Sequence, residues 1–168
     1  PYAGRDAITG PRPSRRGLVN AVEVAQLDAR RAWEAAAAVP DPEVPCVTVA
    51  DLGILRDVRI EDGAAVARVS PTYSGCPAVL AIEFAIETAL RDAGFEARIE
   101  RVLSPAWTTD WISAEGREKL RDYGIAPPEG GGGKRALFGE DTVTCPRCGS
   151  TDTRKLSEFG STACKAQY

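Results

Sequence analysis

Two runs of alternating apolar and polar residues flank the tetrapeptide Glu61-Asp62-Gly63-Ala64. That arrangement leaves this stretch few folds. An Asp-Gly pair tolerates the backbone angles of a tight turn, so the spacing predicts a β-hairpin of strands Ile54–Ile60 and Ala65–Pro71. Val58 and Ile60 alternate with Arg59, and Val66 with Ala67 and Arg68.

The periodicity then changes. From Cys76 to Ala93, Val79, Ile82, Ile86 and Leu90 recur at helical spacing, with Glu83, Glu87 and Arg91 as a polar row opposite. Gly94 ends this helix. Phe95–Leu103 alternates again and reads as a third strand. Ahead of the hairpin, Leu18–Val39 reads as a helix with Val22, Ala25, Ala29 and Trp33 on one face, ended by Pro40, Pro42 and Pro45. Thr48–Gly53 reads as one helical turn closed by Gly53. Thr109–Tyr123 reads as a last helix with Trp111, Ile112, Leu120 and Tyr123 as its apolar residues, ended by Gly124 and Pro127-Pro128. The order α-β-β-α-β-α predicts an α+β domain: a small three-stranded sheet with helices packed on it, the Cys76 helix across one face. Residues 18–128 form that domain. Residues 1–17, rich in Pro, Gly and Arg, read as a disordered tail. Residues 129–137 read as a Gly-rich flexible linker, and 138–168 as a Cys-rich metal-binding module.

Composition narrows the chemistry. The chain of 168 residues has no His, which removes His-based triads, His general bases and His metal ligands from its own side chains. It has no Met either, so the first residue is expected to follow processing or trimming. The net charge of −3 gives no basic face for nucleic acid. No stretch approaches the roughly 20 apolar residues of a membrane helix, and no signal-peptide pattern opens the chain. The five Cys are odd in number and include a Cys-x-x-Cys pair, which points to a reducing compartment, the cytoplasm, rather than a disulfide framework.

Cys76 lies in Gly75-Cys76-Pro77, where a strand feeds a helix. Pro77 suits the first helical position, which would put Cys76 at or beside the N-cap, where the helix dipole favours a thiolate. Ser74 and Gly75 would leave room around the sulfur. Asp41 and Glu43 sit on a proline-stiffened loop. If the fold brings them to Cys76, one thiolate and two carboxylates would suit a transiently held iron or zinc. The alternative stays open: Cys76 is a small residue in a turn, and the acidic loop is only a turn. Cys46 reads as buried packing. Trp111 reads as core. Trp107 precedes the helix and reads as partner-facing or pocket-lining, as does Thr72.

Cys145-Pro146-Arg147-Cys148-Gly149 is half of a zinc knuckle, in which two thiolates grip one tetrahedral metal. Cys164 supplies a third sulfur. A fourth ligand is expected beyond Cys164, where the sequence ends at Tyr168. The alternative is a pair of reduced or disulfide-linked cysteines.

Asp41-Pro42-Glu43-Val44-Pro45, Asp51-Leu52-Gly53 and Gly75-Cys76-Pro77 resemble the SufT-like iron–sulfur assembly-factor domain. The longer stretches Ser70–Pro77, Ser104–Trp111, Cys145–Ser150 and Phe159–Ala166 resemble the PaaD family, accessory subunits of the bacterial phenylacetyl-CoA epoxidase system. The resemblance runs from about Leu18 onwards. It implies a role beside a di-iron oxygenase and its flavin and iron–sulfur reductase, in phenylacetate catabolism. The implied role is maturation: supplying iron or an iron–sulfur cluster, with no catalysis by the chain alone. It also implies further Cys beyond the Ala163-Cys164-Lys165-Ala166 stretch.

The expected function is therefore a maturation subunit. Cys76 is the acceptor thiolate and Asp41 and Glu43 are helpers. Cys145, Cys148 and Cys164 hold a separate metal, zinc or an iron–sulfur cluster. A structural or binding subunit is the second reading, and a thiol enzyme the third, which lacks a His partner base. The expected partners are the oxygenase and reductase subunits, with no nucleic acid or membrane, and an unpaired strand edge would permit a homodimer.

Overall fold

A computed structural model describes residues 15–73, 75–128, 143–162 and 164–168, with residues 15–21 as backbone only. The elements are α1 (Arg15–Ala37), β1 (Leu55–Glu61), β2 (Ala64–Val69), α2 (Val79–Asp92), β3 (Glu96–Arg101), a 3-10 turn (Thr109–Trp111) and α3 (Ala114–Tyr123). The α+β class and the α-β-β-α-β-α order hold. The Gly-rich segment and the start of the Cys module lie outside the described residues, as does most of the expected tail. Its last three residues open α1.

β1 and β2 form the hairpin, antiparallel, with Glu61 opposite Ala64. Asp62 and Gly63 have φ of 51° and 83°, the left-handed pair a two-residue turn with matching twist requires. β3 lies beside β2 and runs parallel to it, because α2 carries the chain back across the sheet.

One face of the sheet packs the helices. Leu55, Val58, Ala65, Ala67 and Val69 from the strands meet Ile82, Ile86 and Leu90 from α2 and Ala32 and Ala36 from α1. Ile86 and Leu90 are completely buried, each contributing roughly 1.5–3 kcal/mol of apolar burial. The alanines of β2 let the helices approach closely. The opposite face carries a charge ladder in which Asp57 pairs with Arg59 and Arg68, and Arg68 with Glu100.

The face expected for α1 is not the one that packs. Val22 is 58% exposed and Trp33 37%, whereas Ala32 and Ala36 are buried. Among the described side chains of α1, the buried ones lie in its C-terminal half, so its contact stripe is set by what it meets rather than by the bulkiest residues.

A second, smaller core joins the loop before β1 to α3. Val44, Val47, Ile112 and Leu120 are buried there, with Cys46, Leu52, Trp107 and Ile125 against them. Thr48–Gly53 is one closed turn: Leu52 N–H donates to Thr48 O at 3.1 Å, and Gly53 has φ 66°. Gly53 must be glycine, since a Cβ there would stand 2.6 Å from Trp111 O. The expected Thr109–Tyr123 helix is broken in two. Ile112 is extended (ψ 123°), and Ser113 restarts the helix as an N-cap, its Oγ accepting from Gly116 N–H at 2.9 Å.

Candidate functional site

Cys76 stands at the end of the β2–α2 connection. Ser70 anchors that connection: its N–H donates to Ile54 O at 2.8 Å and its Oγ to Val102 O at 3.0 Å. Cys76 N–H then donates to Tyr73 O at 3.3 Å, and its carbonyl accepts from Val79 N–H at 3.4 Å. The N-cap of α2 is Ala78, whose side chain makes no cap bond. Cys76 is therefore two residues ahead of the cap, and Pro77 precedes the cap instead of opening the helix. These two bonds close tight turns that use up the residues expected to begin α2.

The Cys76 side chain is half-buried, packs against the main core and lines a pocket of about 270 Å³. Pro71, Val79, Leu80, Arg101 and Leu103 form its other walls. Arg101 is held by Glu83 through two bonds of 2.8 Å, which neutralises it and raises its pKa. Around the pocket lie exposed apolar side chains: Leu80 at 73%, Phe84 at 67% and Leu103 at 63%. Gly75 lets the Tyr73 ring close in beside Cys76, since a Cβ there would stand 3.0 Å from the ring. Ser74 lies outside the described residues.

Asp41 is buried, and its Oδ1 accepts from Glu43 N–H and Val44 N–H at 2.8 Å each. It folds its own loop. Glu43 is exposed. Among the described residues no group of three or more His, Cys, Asp or Glu is gathered for a metal ion, so Cys76, Asp41 and Glu43 do not form the expected set.

The two tryptophans exchange their expected parts. Trp107 is half-buried, donates from Nε1 to Leu52 O at 2.8 Å and packs on the second core. Trp111 instead lines a second pocket, with the Arg56 guanidinium 3.5 Å above its ring. Thr72 is half-buried beside Tyr73.

A charged node at Asp51 lies outside the residues expected to carry function. Asp51 is buried, and its Oδ2 accepts from Thr48 N–H and Lys119 Nζ, each at 2.9 Å. Asp51 N–H donates back to Thr48 Oγ1 at 3.1 Å. Burial alone would raise the Asp51 pKa, but the Thr48 N–H and the Lys119 ammonium outweigh it and hold the carboxyl below its usual value. The reciprocal Thr-x-x-Asp spacing is a capping-box signal that could have found this node. Cys46 is half-buried nearby. Burial pushes its thiol up, and the Asp51 and Asp41 carboxylates add to that.

Cys145 and Cys148 share a tight turn. Gly149 N–H donates to Cys145 O at 2.9 Å, with Gly149 at φ 73°. The N–H groups of Arg147 and Cys148, then the Cys148 thiol, lower the Cys145 pKa. A thiolate cradled by backbone N–H groups suits a zinc ion, and this pair fits a two-sulfur grip. Cys164 is exposed, its Sγ 3.1 Å from Thr162 Oγ1, and does not join the pair in a three-ligand group. When bound, zinc would cross-link this module and supply no redox chemistry.

Residues 30–103, which include Asp41, Glu43 and Cys76, match a family described as iron-sulfur cluster assembly protein. Residues 130–168 match the PaaD zinc beta ribbon domain. The chain is also 47% identical over 137 residues to a protein of Escherichia coli (strain K12) provisionally named as the D component of 1,2-phenylacetyl-CoA epoxidase. The match covers 81% of this chain and 82% of that protein. The chain belongs to the PaaD family of phenylacetyl-CoA epoxidase subunits. The fold of this PaaD-family chain is also that of a domain of unknown function, DUF59, from Bacillus anthracis. The TM-score is 0.54 at 23% identity, covering 59% of this chain and 96% of that one. Among the described residues, no helix of the PaaD-family chain is long and apolar enough to cross a membrane.

Proposed function

We propose that this PaaD-family chain is a maturation subunit of a phenylacetyl-CoA ring-epoxidising system. It delivers iron or an iron–sulfur cluster to the oxygenase or reductase subunits in the cytoplasm and performs no catalysis alone. One observation carries the reading: the Cys76 thiol opens onto a pocket that is otherwise apolar and whose single cation is already neutralised by Glu83. Cargo iron bound by Cys76 displaces the thiol proton to solvent, and transfer to the partner's ligands returns a proton to the sulfur. Leu80, Phe84 and Leu103 give a partner surface apolar contacts around the transfer point. Glu43 stands exposed on its own loop and is not gathered at Cys76. Asp41 serves by shaping that loop. The Cys145–Cys148 pair holds a zinc ion of its own.

The test is Cys76→Ser in a reconstituted pathway. The variant keeps its circular dichroism spectrum, yet the partner's iron content and epoxidase activity fall to the level without this chain. Wild-type activity with Cys76→Ser removes Cys76 from the mechanism. A second reading, a binding subunit without transfer, is favoured by the absence of gathered carboxylates around Cys76 among the described residues. It predicts that Cys76→Ser leaves both co-purification and activity intact.

A further inference from the structure

The polar face of the sheet carries a pocket that the proposed transfer site does not use. It measures about 170 Å³ and is lined by Arg56, Asp57, Arg68, Ser70, Pro105 and Trp111, among others. That is the size of a cavity that holds one benzene-sized group.

Its construction begins with a β-bulge. Leu55 pairs with Val69, but Asp57, not Arg56, pairs with Arg68. Arg56 is the extra residue. Leu55 and Val58 both remain buried in the core, so the intervening Arg56 and Asp57 both turn away from it. A regular strand would have sent one of the two inward. The bulge thus sets a cation and an anion side by side at one pocket.

Each has an unused valence. The Arg56 guanidinium carbon sits over the Trp111 ring, 3.5 Å from its centroid, and its hydrogen bond to Gly53 O is a long contact of 3.5 Å. Among the described residues it has no carboxylate partner, whereas Arg59, Arg68, Arg91 and Arg101 all have one. Asp57 Oδ2 accepts from Arg59 at 3.0 Å and Arg68 at 3.4 Å. Its Oδ1 is withdrawn from solvent and meets no donor among the described residues. An orphaned carboxylate oxygen costs free energy until an N–H or O–H reaches it. A stacked guanidinium keeps its planar fork ready for a carboxylate.

We propose that this pocket binds a carboxylate whose neighbouring amide N–H belongs to the same small group, as at the free C-terminus of a polypeptide. The carboxylate pairs with Arg56 over Trp111, and the amide N–H donates to the Asp57 carboxylate, whose side chain is 36% exposed and presents Oδ1 to the pocket when it turns about Cβ–Cγ. Both complementary groups sit within a few ångströms of each other on such a chain end, and a simple anion offers only one of them. The site is independent of Cys76 and of any metal.

The test uses the full chain and N-acetylglycine as the probe, followed by amide and indole N–H chemical shifts. Saturable shifts at Arg56, Asp57 and Trp111 are expected. Two isosteres isolate the two contacts. N-acetylglycinamide lacks the carboxylate, and acetoxyacetate replaces the N–H with an ether-type oxygen; each binds about tenfold or more weakly. Inorganic phosphate binds no better than acetoxyacetate. Arg56→Lys keeps the charge but loses the fork and the stacking geometry, and also weakens N-acetylglycine about tenfold while the spectrum of the rest of the fold is unchanged. Equal binding of all probes, no saturation, or an Arg56→Lys protein that binds like wild type overturns the proposal.

Discussion

Lys119 Nζ lies 2.9 Å from Asp51 Oδ2, which ties α3 to the turn that precedes the hairpin. Ser113 N–H donates to Asp51 O at 2.8 Å, so the same residue also receives the start of that helix. Asp51→Ala removes the acceptor for Thr48 N–H and for the ammonium together. We expect a loss of about 2–3 kcal/mol in urea unfolding. Lys119→Met, which keeps the stem and removes the charge, costs less because Thr48 still satisfies the carboxylate.

Acid should loosen the same node. The Asp51 carboxyl titrates below its unfolded value, so its contribution is present above the unfolded pKa of about 4 and disappears as pH falls through the lower, folded pKa. Unfolding midpoints measured from pH 6 downward should fall more steeply for the wild type than for Asp51→Asn. Parallel curves for the two would show that Asp51 does not couple folding to protons.

Gly124 closes α3 at φ 94°, and a Cβ there would stand 2.7 Å from the Arg147 guanidinium. Gly124→Ala is expected to cost about 1 kcal/mol from the left-handed backbone alone. Arg147 must also shift from its contact with Tyr123 O. Double substitution with Arg147→Ala should relieve only the second part, which a double-mutant cycle resolves.

Thiol alkylation should rank two cysteines. At pH 7 to 8 in the metal-free chain, Cys145, whose thiol is lowered by surrounding N–H groups, reacts before Cys46, whose thiol is raised by burial. Peptide mass spectrometry after brief iodoacetamide treatment reads the order directly. Faster labelling of Cys46 would contradict the electrostatics described for both sites.

Zinc removal should act locally. Chelation of the zinc-loaded chain is expected to shift amide signals in residues 143–168, while the α/β domain keeps its unfolding midpoint. Cys145→Ser should lower bound zinc without altering the helix signal of residues 79–92. A common collapse of both parts would mean that the module supports the domain.

Much of the architecture was written in local chemistry. Asp62-Gly63 demanded a left-handed pair, and Ile82, Ile86 and Leu90 shared a face at any reasonable helix register. Gly53, Gly94 and Gly124 all end their turns or helices at positive φ, as their places in the sequence led us to expect. The expectations that failed concerned contacts between distant segments. Trp107 and Trp111 are equivalent as apolar residues near a helix start; the hydrogen bond from Trp107 to Leu52 O, 55 positions away, turned one inward and left the other for Arg56. Val22 and Trp33 were bulkier than Ala32 and Ala36, yet the small residues are the ones buried where α1 meets the sheet and α2.

Covalent identity alone fixed the hairpin, the class and order of the main elements, the paired thiols at 145 and 148 and the absence of imidazole, because capping, turn and periodicity preferences act within a few residues. The tertiary structure alone decided that β3 runs parallel to β2, that Cys76 precedes the cap of α2 and is not gathered with Asp41 and Glu43 into one ligand group, and that a bulge turns Arg56 and Asp57 out together. Those outcomes depend on which surfaces meet, and a surface has no address in the chain until the layers have packed.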